Sequence, residues 1–203
     1  MNKSIIRYIL GMILKTEGFL MTIPCLTALI YGEKQGLVYV IVALACIITG
    51  TLVSLKKPAN YVIYLKEGCI STALSWILMG MAGAVPFVLT GEIPTYTDAL
   101  FETVSGFTTT GASILNDIEA LSRCSLMWRS FTHWIGGMGV LVFILALLPM
   151  KGGSVMNLMK AESPGPTVSK FVPRVRGTAK ILYQIYLGMT LFTIAALLLS
   201  SMK

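Results

Sequence analysis

Six consecutive residues, Thr108-Thr109-Thr110-Gly111-Ala112-Ser113, concentrate hydroxyls and small side chains in one short stretch. None is a strong acid, a base or a soft metal ligand, so the chemistry open to them is that of the backbone. Extended backbone can align carbonyl oxygens to replace the hydration shell of a monovalent cation. Small Thr side chains can pack behind those carbonyls, and Gly111 permits a turn that a Cβ opposes. Just upstream, Leu100, Phe101, Val104 and Phe107 recur at helical spacing, behind Pro94 and the capping hydroxyls of Thr95 and Thr97. The spacing predicts a helix over Tyr96–Phe107, whose 12 residues at about 1.5 Å each span about 18 Å. That is roughly half a bilayer. Such a helix turns the negative end of its dipole toward the Thr-rich segment, which favours a cation there.

Half a span followed by non-helical backbone is the pattern of a re-entrant pore loop, which is tolerated at membrane depth where protein buries it or water lines it. Spacing alone admits a second reading, a short extracellular amphipathic helix ending in a Thr-rich turn. Two further groups are candidates for chemistry. Ser105 and His133 could serve as nucleophile and base of an intramembrane protease. No G-x-S-x-G accompanies them, and the Thr triplet has no part in that reaction. Glu102, inside the predicted helix, is costly in a membrane unless paired or wetted, and reads as an anchor for the loop. His133 stands beside Trp134 at an aromatic-belt position, and Gly136, Gly137 and Gly139 allow backbones to approach closely.

The elements that must hold these residues are set by composition. Of 203 residues, 55% are hydrophobic and 12% charged, and mean hydropathy is +0.78. Soluble domains carry about a quarter charged residues. A disulfide scaffold, a disordered chain and an ordinary cytosolic enzyme are thereby excluded in favour of a polytopic membrane protein. Cys25, Cys46, Cys69 and Cys124 form no C-x-x-C pair and read as small hydrophobes. Gly36–Leu55, Cys69–Gly91, Ser130–Met150 and Ile181–Met202 are long and apolar enough to cross. Ile5–Tyr31 is interrupted by Lys15 and Glu17 but lacks a signal-cleavage pattern, so it reads as a retained span with Lys15 snorkelling.

The net charge of +7 is distributed by loop. Lys3, Arg7, Lys15, Lys56, Lys57, Lys66, Lys151, Lys160, Lys170, Arg174, Arg176 and Lys180 fall on one side of the spans. Lys34, Arg123 and Arg129 fall on the other, with Glu33, Glu92, Asp98, Glu102, Asp117 and Glu119. The positive-inside rule then places the N-terminus in the cytoplasm and explains the basic residues without nucleic acid. No Walker A or dinucleotide fingerprint occurs, so no cofactor is expected on this chain and any nucleotide effect must come through a partner.

Three motifs carry a family resemblance. Phe101-Glu102-Thr103-Val104-Ser105-Gly106-Phe107-Thr108-Thr109-Thr110-Gly111-Ala112-Ser113 resembles the first selectivity-filter loop of the Trk/Ktr/HKT potassium transporters, nearest their bacterial Trk-type membrane subunit. His133-Trp134-Ile135-Gly136-Gly137-Met138-Gly139 resembles the start of the following M2 helix. Ala161-Glu162-Ser163-Pro164-Gly165-Pro166, with Pro173-Arg174-Val175-Arg176 and Thr178-Ala179-Lys180, resembles the cytoplasmic linker. The likeness runs over essentially the whole chain.

It implies an all-α polytopic membrane protein with two N-terminal transmembrane helices, one M1–pore loop–M2 repeat and the first helix of a second repeat. Residues 1–67 would hold the N-terminal pair and a cytoplasmic loop, and 68–150 the first repeat. Within that repeat, M1 would be Cys69–Gly91, the pore helix Tyr96–Phe107 and M2 Trp128–Met150. Residues 151–180 would be the linker and 181–203 the start of the second M1. The implied function is potassium uptake, with K+ held by the backbone carbonyls of Thr109, Thr110 and Gly111 in a filter over Thr108, Thr109, Thr110, Gly111 and Ala112. Glu102, Ser113, His133, Gly136 and Gly137 would support it. The family uses four such loops with one Gly each, and Gly at the first goes with potassium. No second F-x-T-T-T-G occurs here, so the expectation is an N-terminal fragment or a truncated gene. The alternative within the family is a Ktr-like subunit cotransporting sodium and potassium. Implied partners are the lipid bilayer of the bacterial inner membrane, a cytosolic nucleotide-binding regulatory subunit of the TrkA/KtrA type, and a second copy in a homodimer.

Overall fold

The computed structural model describes residues 2–58, 64–137, 139 and 175–200. Among these it is all-helical, without a strand. The helices are α1 (Lys3–Leu20), α2 (Thr22–Tyr31), α3 (Gly36–Ser54), α4 (Leu65–Leu89), α5 (Tyr96–Phe107), α6 (Arg123–Gly137) and α7 (Val175–Leu199). Lys3–Tyr31, Gly36–Ser54, Lys66–Leu89 and Ile181–Leu199 are long and apolar enough to cross a membrane.

The Asn2 side chain accepts the Ile5 N–H and starts α1. The predicted span Ile5–Tyr31 divides at Met21 into α1 and α2. The cause is Pro24, which has no N–H for the Leu20 carbonyl and whose ring crowds the preceding turn. On α1, Ile5, Ile9 and Ile13 bury one stripe. The same helix meets α3 backbone to backbone. A Cβ on Gly11 would lie 2.8 Å from the Gly50 carbonyl oxygen, so small residues set this crossing. α4 packs against both α1 and α3, and the short α5 lies between α4 and α6.

Loop contacts sort the helix ends. At one end Arg7 donates to the Lys56 carbonyl and the Asn2 N–H to Glu67. At the other, Glu33 and Glu92 reach the start of α6. Among the described residues, Arg7 and Lys56 thus meet at one end, and Glu33 and Glu92 at the start of α6.

Two starts differ from expectation. α4 begins at Leu65, four residues before Cys69, and α6 at Arg123, ahead of Trp128. The reason for the second is capping. Ser122 Oγ accepts the Ser125 N–H, Glu33 accepts the N–H groups of Arg123 and Cys124 at 2.8 and 2.9 Å, and Glu92 accepts that of Ser122 at 2.7 Å. Two acids from other loops thus bind the positive end of this helix. The remainder of the predicted M2 beyond Gly139, and residues 151–174 of the linker, lie outside the described residues.

Candidate functional site

The segment after α5 is shaped by its own backbone and by α5. Phe107 ends the helix, and Thr109 N–H and Thr110 N–H bond back to the carbonyls of Gly106 and Ser105. The chain then takes two left-handed residues, Thr109 with φ 57° and Gly111 with φ 75°. For Gly111 that conformation costs little, and a Cβ there would meet no atom within 4 Å. For Thr109, a β-branched residue, it is a strained outlier of the kind that gathers at ligand-holding sites. Among the described residues nothing donates to the carbonyls of Thr109, Thr110 or Gly111. Thr108 through Ala112 are all exposed.

The flanks of this exposed arc are tied. The hydroxyls of Thr108 and Thr110 share a 2.8 Å hydrogen bond, and Thr108 also donates to the Val104 carbonyl. Ser105 Oγ donates to the Ala112 carbonyl at 2.6 Å, which ties that carbonyl to α5. One residue further, the carboxylate of Glu102 takes both Ser113 Oγ and the Ile114 N–H, at 3.0 and 3.1 Å. Glu102 is 1% exposed, and Arg129 of α6 pairs with it, Nε to Oε1, at 2.5 Å. A carboxylate so placed has three donors, one of them a guanidinium, which offsets much of the cost of burying it.

Behind the arc is a packed wall. Trp128 is fully buried, stands edge-on to Phe107 at 6.3 Å and donates its indole N–H to the Gly83 carbonyl. Gly136 leaves room for the end of α5, since a Cβ on it would collide with the carbonyl oxygen of Phe107. Because that obstacle is backbone, Gly136→Ala should push α5 and α6 apart and cost about 1–3 kcal/mol. The check is a lowered melting midpoint of the detergent-purified chain relative to the parent.

The supporting residues named from sequence have distinct surroundings. Glu102 and Ser113 meet each other. Gly137 faces the Tyr186 hydroxyl of α7 instead of α5. His133 donates its Nδ1–H to the Arg129 carbonyl one turn earlier, because a carbonyl can only accept. Ser105 and His133 therefore have separate partners. Sequence reading missed the roles of Arg129 and Trp128 and, although it named Thr109, missed that this residue turns left-handed. Arg129 was visible only as a cation at the mouth of an apolar run, and the one clue was an unmatched acid, Glu102, in the preceding helix. Outside the spans, burial raises the pKa of Glu33, but its bonds from Cys124 and Arg123 and the Arg123 charge outweigh this and hold it below the usual value. This anchor of α6 is thus present above the ordinary carboxylate range and lost as pH falls through the depressed value.

A family model described as TrkH, cation transport protein, matches residues 36–202. The chain belongs to the TrkH family of cation transport proteins. It is a multi-pass membrane protein. The Trk system potassium uptake protein TrkH of Vibrio parahaemolyticus is 34% identical, covering 98% of this chain and 42% of its own length. The Trk system potassium uptake protein TrkG of Escherichia coli K12 is 36% identical over 92% of this chain and 40% of its own. The crystal structure of the potassium transporter TrkH from Vibrio parahaemolyticus superposes with a TM-score of 0.79 at 29% identity, covering this whole chain and 41% of that one. The chain thus spans about two fifths of the length of these TrkH-family relatives.

Proposed function

We propose that this chain contributes one pore loop to a potassium uptake pathway, with K+ held by the carbonyls of Thr109, Thr110 and Gly111. The observation that carries the reading is the pair of left-handed residues, Thr109 and Gly111, around three carbonyls that no described donor occupies. Such oxygens, at the negative end of α5, suit a dehydrated cation and nothing anionic. The names of the relatives support potassium as the ion. Glu102 and Ser113 hold the far side of the arc, and Ala112 closes it through Ser105. In this reading residues 68–150 form the M1–P–M2 repeat, 1–67 the N-terminal pair, 151–180 a cytoplasmic linker and 181–203 the start of a second repeat. A nucleotide-binding regulatory subunit and a second copy of the whole protein complete the assembly.

The direct test is a chimera in which residues 1–203 replace the aligned segment of the Vibrio parahaemolyticus relative. It should restore growth on low potassium to a transport-deficient bacterium. Failure of a chimera that reaches the membrane would remove potassium uptake from the reading. Orientation in the inner membrane is tested separately. The charge distribution puts the N-terminus in the cytoplasm. A cysteine at Asn116 should then react with an impermeant reagent in intact cells, and one at Ser169 only after permeabilisation. Labelling of Ser169→Cys in intact cells would invert the topology.

A further inference from the structure

Glu17 lies in the first span with 1% of its surface exposed. Among the described residues neither carboxyl oxygen has a hydrogen-bond partner and no cation pairs with it. Nothing in the pore loop chemistry above uses it. Its surroundings are three helices. From α3 the facing titratable group is Cys46, and α4 offers the bare backbone of Gly83. On its own helix Lys15 lies along Gly50, with its backbone nitrogen and Cγ against that residue. Beyond Gly83 is α5, which presents Thr103 and Phe107 there. The point that a Gly83 Cβ would occupy is 3.0 Å from Glu17 Oε1, 2.8 Å from Thr103 Cγ2 and 3.2 Å from Phe107 Cε2. The carboxyl is therefore wedged in a notch directly behind the last turn of α5, whose next residue is Thr108.

An ionised carboxylate here would be stripped of water with neither a counter-ion nor a donor, the arrangement that folded proteins avoid. A neutral carboxyl removes that cost. We propose that Glu17 holds a proton in the folded protein, and that ionising it draws water into the seam and loosens the seat of α5. Because the folded state keeps a proton that the unfolded chain gives up, stability falls as pH rises above the ordinary carboxylate range. By linkage, any motion that opens the notch to water releases the proton. This rests on burial and packing alone, so its failure leaves the ion-path reading standing.

The experiment is thermal melting of the detergent-purified full chain from mildly acidic to alkaline pH, for the parent and for Glu17→Gln. Gln copies the shape of the neutral acid but cannot ionise. The parent should show an unfolding equilibrium that shifts by about tenfold per pH unit more than in the variant, the weight of one proton. Equal slopes in the two proteins overturn the proposal. If Glu17→Gln does not accumulate, infrared spectra of the parent decide. A protonated-carboxyl band persisting at alkaline pH, and displaced in Glu17→Asp, supports it, whereas absence of that band overturns it.

Discussion

Gly111→Ser in the chimera should lower the preference for potassium over sodium by about 5–30-fold, and Gly111→Asp should abolish potassium uptake. The steric surroundings do not cause this, since a Cβ at Gly111 meets nothing within 4 Å. The backbone does. At φ 75° an L-residue gives up roughly 1–2 kcal/mol relative to its preferred conformation. The loop already carries one such residue in Thr109, held there by the bonds of Thr109 and Thr110 to the end of α5. A second strained residue next to an exposed carbonyl has no comparable tie, so it relaxes by rotating that carbonyl off its line. A penalty of 1–2 kcal/mol in one ion layer converts to the stated range at about 1.4 kcal/mol per tenfold. The other carbonyls of the arc keep their geometry, so conduction survives the Ser change while discrimination falls. On the proposed ion path, Asp would add a charge that binds the cation too strongly to release it. Thr109→Gly is the matched control, because Gly accepts the same φ. Rubidium uptake competed with sodium, normalised to membrane level by blot, reads all three. An unchanged ion preference in Gly111→Ser would place Gly111 off the path.

The parts of this structure that announce themselves in sequence are those governed by local periodicity. α5 runs over Tyr96–Phe107 as its apolar spacing demands, and α3 ends within a residue of its predicted boundary. The acidic loops gather at one end because charge is excluded from the spans between them. What stayed hidden depends on partners far apart in the chain. The start of α6 needs Glu33, which lies 90 residues from Arg123. The break at Met21 was signalled by Pro24, but a single Pro in an apolar run fits a kinked span as well as two helices. Gly111 was legible as a turn because only Gly adopts that conformation cheaply, whereas nothing in a Thr triplet tells which Thr turns left-handed. Burial of Glu17 could not be read at all, since it comes from the packing of α1 against α3 and α4, which lie further along the chain.

The largest loss is expected at the pair between α5 and α6. Arg129→Leu should remove most of the protein from the membrane or leave it without uptake, a cost on the order of 3–5 kcal/mol. Glu102 is then a buried anion whose remaining donors, Ser113 Oγ and the Ile114 N–H, cannot neutralise it. Glu102→Gln should be milder on its own charge but still damaging. The amide has one oxygen for three donors, and Arg129, whose side chain is 14% exposed, loses its counter-ion. The double variant Glu102→Gln with Arg129→Leu removes both charges, so it should lose less than the sum of the singles, with coupling of 0.5–3 kcal/mol typical of contacting residues, or about 2- to 160-fold. That sign separates an ion pair from two residues that merely fill space, for which losses add. Measured as melting midpoint and as uptake together, the cycle also locates the effect. If Glu102 acts by gripping Ser113 and Ile114, ion preference should fall in Glu102→Gln even in the fraction that remains folded, because the segment following Gly111 is no longer fixed. If preference holds while stability drops, the pair braces α5 against α6 and the arc of carbonyls is set by Ser105 and the Thr hydroxyls instead.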